Sequence, residues 1–210
     1  NAGDGKTTCG LALAAALAAD GKRVVLIDAD LRKPNQPPPP GPRDAEIPGL
    51  GDVLRGACAW NESLRQVRVP FGQFYSIAAG SSTAPELLSS PNMSELLGQL
   101  RQHCDFVLLD APSFPSAADA MVLAPSADGV ISVLRLDNTS RKAALEHLRA
   151  LTLSARSFAV VLNGVGISED APGTVALVQP DPIPRPTSLQ SRKRGSTATG
   201  TPAPSSPHAS

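Results

Sequence analysis

The sequence predicts an α/β fold in which a mostly parallel, doubly wound sheet has helices on both faces. Two observations lead to this prediction. Short runs of apolar, β-branched residues recur without the alternation of a half-exposed strand, which is typical of strands buried on both faces. Segments with helical periodicity separate these runs, so strands and helices alternate as they do in doubly wound sheets.

The first two elements follow each other closely. Thr7 to Ala19 has a helical pattern, its leucine and alanine stripe allows close packing on a sheet, and Asp20-Gly21 marks its end. Arg23 to Ile27 is the first buried strand, and Gln73 to Ala78 is strand-like. The other predicted strands are Phe106 to Leu109, Gly129 to Leu134 and Phe158 to Val165, and the other predicted helices are Asn92 to His103, Ala117 to Leu123 and Arg141 to Leu151.

A chain of 210 residues has room for one domain of ordinary size and a tail. We expect the domain to cover residues 1–167, with a proline-rich surface insertion at residues 34–43. Residues 168–210 are rich in Pro, Ser and Thr and are predicted to be disordered. Because the first residue is Asn rather than Met, we also expect the natural protein to begin upstream.

The composition excludes several classes of protein. Lys and Arg number 19 and Asp and Glu number 19, so no net charge draws the chain to nucleic acid or to an anionic membrane. The longest apolar runs fall well below the roughly 20 residues that span a bilayer. Cys9, Cys58 and Cys104 have no paired spacing, which fits reduced cytosolic thiols better than disulfides or a zinc site.

A phosphate-binding loop is predicted at the start of the chain. Gly5, Lys6 and Thr7 match the end of the G-x-x-x-x-G-K-[ST] pattern, whose first glycine would fall one place before Asn1. In such a loop, main-chain N–H groups and the following helix N-terminus bind phosphates, the lysine adds charge, and the threonine hydroxyl ligates Mg²⁺. The alternative is an ordinary glycine-rich turn. The predicted nucleotide-binding residues of the loop are Gly3, Asp4, Gly5, Lys6, Thr7 and Thr8.

Acidic residues follow two of the predicted strands. Asp28 and Asp30 come directly after Val24 to Ile27, and Asp110 follows Phe106 to Leu109. The carboxyl ends of parallel strands are where ligands bind in open α/β sheets. Carboxylates beside a phosphate loop hold Mg²⁺ or orient the nucleophile in phosphoryl transfer. The alternative is that these acids only cap the strand ends.

With these motifs in this order, the chain resembles the bacterial tyrosine kinases that regulate capsular and exopolysaccharide export. The resemblance implies that Lys6, Asp28 and Asp30 serve catalysis, and that Thr7, Asp30 and Asp110 hold the metal. It implies ATP and Mg²⁺ as cofactors. The segments that carry it, besides the phosphate loop, are Asp28 to Pro34, Pro48 to Gly56, Ala79-Gly80, Pro85 to Ser90, Asp105 to Pro112, Ala118 to Ala120, Asp128 to Val130 and Val161 to Val165.

Asn163 is a further candidate because it ends a predicted buried strand. Its amide can pair with the donor and acceptor edge of adenine, and the alternative is a loop-capping role. Two histidines, His103 and His147, are predicted to be solvated residues of their helices, and Trp60 is predicted to pack beside a small helix.

The resemblance also implies partners and a location. The partner would be a polysaccharide-export membrane protein or an upstream membrane region of the same protein, with a homo-oligomer as a further assembly and no specific nucleic acid. The chain would be cytoplasmic, at the inner face of the plasma membrane. Two alternatives stay open: a Min/Par-type partition ATPase, whose extra lysine is replaced here by Asn1, and a non-catalytic nucleotide-sensing module.

Two departures from the family modify these expectations. Residues 168–210 contain no tyrosine, so we expect ATP hydrolysis or phosphorylation of another protein rather than of the tail. The strand that should precede the phosphate loop is not in the chain, so we expect a gap in the sheet beside the loop. A chain with this gap should bind ATP weakly and tend to aggregate.

Overall fold

The structure is a computed structural model, and it describes residues 3–32, 47–80, 84–112, 122–136 and 138–164. The proline-rich insertion at 34–43, the tail at 168–210 and most of the helix predicted from Ala117 lie outside the described residues. Within the described ranges, every helix is too short or too polar to cross a bilayer.

Helices and strands alternate along most of the chain, as the sequence predicts. In the part of the chain that the structure describes, three short 3₁₀ turns lie between some of them: Trp60–Ser63, Pro85–Ser89 and Ala124–Ser126. The described elements are α1 (Lys6–Ala19), β1 (Val24–Asp28), α2 (Leu50–Leu54), β2 (Arg65–Val69), β3 (Gly72–Ile77), α3 (Pro91–His103), β4 (Phe106–Asp110), β5 (Val130–Arg135), α4 (Arg141–Ser154) and β6 (Phe158–Asn163).

The strands within the described ranges form two sheets. The first has the order β2-β3-β1-β4, and the second consists of β5 and β6. All pairs are parallel except β2 with β3, which form an antiparallel hairpin. The predicted α/β class with a mostly parallel sheet is therefore confirmed.

Helices cover both faces of the four-stranded sheet. On one face, Ala14 and Ala18 of α1 are buried against Val24, Leu26 and Phe74, since their small side chains let the helix lie close to the strands. On the other face, α2 and α3 bury leucines against the opposite side chains of β1 and β3. Successive residues of β1 are therefore buried on opposite faces, as expected for a strand that is covered on both sides.

A cavity of about 550 Å³ separates the two sheets. The facing edges of β4 and β5 line it, together with residues of α1 and α4 such as Leu13 and His147. Phe106 is 42% exposed and Ile131 is 51% exposed at these edges, although both belong to apolar strands. Among the described strands, none pairs with β4 on the edge opposite β1. The expected gap in the sheet is present here, beside the phosphate loop.

The candidate phosphate-loop site

The loop before α1 has the backbone geometry that its glycines allow. Gly3 and Gly5 have φ values of 83° and 92°, in the left-handed region that residues with a Cβ rarely adopt. Gly5 is the N-cap residue of α1, and a Cβ there would collide with the side-chain amide of Asn163. Lys6 is the first residue of α1, so the free N–H groups of a 14-residue helix begin at the loop.

Thr7 connects the loop to the end of β4. Its hydroxyl donates a hydrogen bond of 2.6 Å to Oδ2 of Asp110, although the two residues are 103 positions apart in sequence. Lys6 lies close enough for its positive charge to act on the same carboxylate. Thr8, the last of the predicted loop residues, is exposed in the first turn of α1.

The acids of β1 and β4 lie side by side. Asp28 is the register partner of Asp110 in the parallel pair, so both carboxylates lie at the same edge of the sheet. Oδ1 of Asp28 accepts a 3.0 Å hydrogen bond from the main-chain N–H of Asp30, and the N–H of Ala79 also donates to the Asp28 carboxylate. Asp30 is near enough to act electrostatically on both other acids. The structure therefore brings Lys6, Thr7, Asp28, Asp30 and Asp110 together.

Burial changes the acidity of this cluster. Burial raises the pKa of Asp28 to about 6, and the negative charges of Asp110 and Asp30 add to the rise against the opposing N–H bonds. Burial also raises the pKa of Asp110, although the Thr7 hydroxyl and the Lys6 charge oppose it. Carboxylates with raised pKa values occur often at functional sites.

The donor set fits Mg²⁺ bound together with phosphate. Thr7, Asp30 and Asp110 supply hydroxyl and carboxylate oxygens, which hard cations prefer. Among the described residues, no group of three or more His, Cys, Asp or Glu side chains forms a metal cage. Mg²⁺ usually takes one or two carboxylates and completes its shell with water and substrate phosphates. The residues present therefore fit this ion.

Asp4 occupies a different place from the other loop residues. Its side chain is fully buried, and its oxygens accept hydrogen bonds from Asn138 Nδ2 at 2.7 Å and Thr139 Oγ1 at 3.1 Å. The Asp4 carboxylate is therefore bonded within the protein rather than open to a ligand. Sequence reasoning missed Asn138 and Thr139, which lie in the polar link between β5 and α4 and follow no phosphate-loop pattern.

Asn163 reaches the phosphate loop from the end of β6. Its Nδ2 donates to the main-chain oxygen of Asp4 at 2.9 Å, and its Oδ1 accepts from the N–H of Gly164 at 2.9 Å. The amide therefore has the loop-bonding role that was the alternative to adenine recognition. The adenine contact stays a prediction.

The expectation for His147 was wrong. This histidine is half-buried and lines the cavity between β4 and β5 instead of the solvated side of α4, and burial lowers its pKa. The helical pattern alone could not predict this position of His147, because the strands that line the same cavity are distant in sequence. His103 is exposed as expected, and its ring lies 5.5 Å from that of Trp60, which packs against the core around α2 and α3.

Comparison with known proteins agrees with this geometry. Residues 1–171 match the family model of the CobQ/CobB/MinD/ParA nucleotide binding domain. The chain is 32% identical to the succinoglycan biosynthesis transport protein ExoP of Rhizobium meliloti over 174 residues, which is 79% of the chain and 21% of ExoP. The chain thus spans about a fifth of the length of that relative.

Two further matches cover most of this chain and most of the protein it is compared with. The tyrosine-protein kinase YwqD of Bacillus subtilis is 30% identical over 172 residues, which is 80% of the chain and 70% of YwqD. The crystal structure of the VpsO kinase domain superposes with a TM-score of 0.67 at 30% identity, covering 79% of this chain and 81% of that one. With these matches over most of its length, the chain belongs to the CobQ/CobB/MinD/ParA nucleotide-binding family and, within it, to the bacterial tyrosine kinases.

Proposed function

We propose that this domain binds ATP with Mg²⁺ at the phosphate loop and hydrolyses it or transfers its γ-phosphoryl group to a protein tyrosine. The observation that carries the proposal is the 2.6 Å hydrogen bond from Thr7 to Asp110. It joins the loop threonine to the acid of a neighbouring strand, beside Lys6 and next to Asp28. This arrangement supports binding of a triphosphate and its cation.

Each residue has a role in that proposal. The N–H groups at the start of α1 and the Lys6 ammonium hold the phosphate oxygens and stabilise the charge that develops in phosphoryl transfer. Thr7, Asp30 and Asp110 hold Mg²⁺, which neutralises phosphate charge when bound. Asp28, with a pKa of about 6, is mostly ionised at pH 7 and accepts a proton from the attacking hydroxyl or water.

Turnover with two variants and two matched controls tests the proposal. Lys6→Ala and Asp28→Asn should each lower the rate of phosphate release or transfer by about 100-fold or more, because preorganised charge in the site is lost. Lys22→Ala and Asp20→Asn make the same chemical changes at an exposed surface ion pair and should leave the rate unchanged. Equal rates in all five proteins would refute the proposal.

The same assay separates the remaining alternatives. If the protein binds ATP and releases neither phosphate nor labelled protein, it is a nucleotide-sensing module. If turnover requires DNA and the DNA affinity falls steeply with salt, it is a partition-type ATPase. The absence of net charge in the sequence speaks against that second alternative.

The acceptor, partner and location are further parts of the proposal. ExoP is named as a succinoglycan biosynthesis transport protein, and we extend this to a polysaccharide-export membrane protein as partner, with the domain at the inner face of the membrane. Tyr75, the single tyrosine of the 210 residues, lies within β3, which disfavours it as acceptor. Labelled ATP should therefore label tyrosine on another protein. Strong labelling of Ser or Thr within residues 168–210 would contradict this.

A further inference from the structure

Asp4 lies between the two glycines of the phosphate loop, Gly3 and Gly5. Its side chain is 0% exposed, so its carboxylate has no open path to a ligand. A buried carboxylate is costly unless hydrogen bonds compensate the loss of water. Here Asn138 Nδ2 and Thr139 Oγ1 supply donors at 2.7 and 3.1 Å, one to each oxygen.

The donors are themselves held in place. The main-chain N–H groups of Asn138 and Thr139 both donate to the oxygen of Arg135, the last residue of β5, at 3.1 and 2.8 Å. Ser140 then caps α4 by accepting from the N–H of Ala143 at 3.2 Å. Both donors are therefore bonded back to the last residue of β5, shortly before α4 begins.

A second contact holds the main chain of the same loop residue. Asn163 Nδ2 donates to the carbonyl oxygen of Asp4 at 2.9 Å, from the end of β6. The amide lies so close to the loop that a Cβ at Gly5 would collide with it. Side chain and main chain of Asp4 are thus fixed by the ends of two neighbouring strands.

We propose that Asp4 is a positioning residue of the phosphate loop, which Asn138, Thr139 and Asn163 hold in the conformation that receives a triphosphate. None of the four side chains contacts a phosphate in this role. The inference rests on the proposed nucleotide-binding function and adds the residues that set its affinity. It gives the Asp4 side chain a role that the sequence analysis, which named Asp4 only as a residue of the nucleotide-binding loop, did not assign.

The reciprocal exchange of Asp4 and Asn138 tests this inference. Asp4→Asn removes an acceptor while keeping the shape, so the N–H groups of the loop lose their alignment. We expect KM for ATP to rise about ten- to hundredfold, and kcat to change less than about threefold. Combining Asp4→Asn with Asn138→Asp restores a donor facing an acceptor, with Thr139 still able to donate to the residue-4 amide oxygen. KM should return to within about threefold of the natural protein.

A milder variant keeps the test valid if the protein with both substitutions fails to fold. Thr139→Val removes one donor without changing the side-chain shape, and KM should rise about three- to tenfold. Thr152→Val is the matched control, because the Thr152 hydroxyl donates at 2.7 Å to the Arg149 oxygen on the exposed part of α4. The control should leave KM unchanged.

Hydrogen exchange separates this inference from the proposed function, because it needs no nucleotide. Asp4→Asn should speed hydrogen exchange of the Gly5 and Lys6 amides about tenfold or more. The double variant Asp4→Asn with Asn138→Asp should restore the slower rate. If the natural protein neither binds nor turns over ATP, the proposed function fails while exchange still reports on the network. The inference would be overturned if KM and the hydrogen-exchange rates were unchanged in both Asp4→Asn and Thr139→Val. It would also be overturned if the double variant Asp4→Asn with Asn138→Asp restored neither KM nor the hydrogen-exchange rates.

Discussion

The contact between Gly49 and Gly80 allows a sharp stability prediction. Two hydrogen bonds hold the start of α2 on the end of β3, from Leu50 N to the Ala78 oxygen at 2.7 Å and from Gly51 N to the Ala79 oxygen at 3.1 Å. A Cβ at Gly49 would overlap the Cα and N atoms of Gly80 and lie 2.8 Å from the Ala78 oxygen. Backbone atoms would have to move, because no flexible side chain is there to yield.

The cost of Gly49→Ala can be built from these contacts. Overpacking a well-packed site costs roughly 1–3 kcal/mol. Lengthening one of the two hydrogen bonds adds about 1 kcal/mol. A loss of about 2–4 kcal/mol lowers the melting temperature of a domain of this size by roughly 5–15 °C. The same displacement moves Ala79, whose N–H donates to the Asp28 carboxylate, so ATP turnover should fall as well.

Gly98→Ala is the matched control for this variant. Gly98 lies in α3, and a Cβ there would meet no heavy atom within 4 Å. Alanine is favoured over glycine in a helix by about 1 kcal/mol, so the melting temperature should rise by roughly 2–4 °C. Thermal unfolding followed by circular dichroism measures both changes. A Gly49→Ala protein that melts within a degree of the natural protein would refute the packing argument.

Three further predictions concern acidity and the gap between the sheets. The pKa of Asp28 in the folded protein, about 6, lies above its ordinary 3.8, so without nucleotide the free energy of unfolding should fall as pH rises from about 4 to 6. Asp28→Asn should remove this pH dependence, and NMR of the carboxyl group should show the titration. Arg23 lowers the pKa of Asp105 to about 2, so the stability from this exposed pair is present above pH 4 and lost as pH falls toward 2. In Asp105→Asn, the free energy of unfolding should depend less on pH in that range. The 210-residue chain alone should scatter light and bind ATP weakly, and joining a strand-forming segment before Asn1 should reduce scattering and raise affinity; equal scattering would contradict the role assigned to the cavity.

The elements that the sequence predicts best are those with a strong local pattern. Strands β1 and β4 are apolar at nearly every position, and the structure shifts their bounds by only one residue. β1 is buried as predicted, whereas β4 is only partly buried because no described strand pairs with its second edge. Strand β2 was missed because Arg65 to Val69 alternates charged or polar residues with valine at the edge of the sheet, where only Val67 is buried. Such a segment has too few apolar residues to differ from a loop.

The candidate site divides in the same way. Lys6, Thr7 and the three acids are found from sequence because each stands at a strand end or helix start, and the parallel register then brings those ends together. The role of Asp4 is not found, because its partners Asn138 and Thr139 are 134 and 135 positions away and belong to no motif. Only the folded chain shows that the acid points into the protein.

The phosphate loop links the two sheets across the cavity between them. Thr7 bonds the loop to the end of β4, while Asp4 bonds it to the link after β5 and Asn163 bonds it to β6. Because β4 and β5 do not pair with each other, these polar contacts connect the strand ends that flank the cavity. A ligand that orders the loop would therefore stabilise both sheets together. The gain in unfolding free energy would grow with the logarithm of the ligand concentration divided by its dissociation constant. Loosening the Asp4 network should reduce ligand affinity and this coupling alike, because the same hydrogen bonds underlie both.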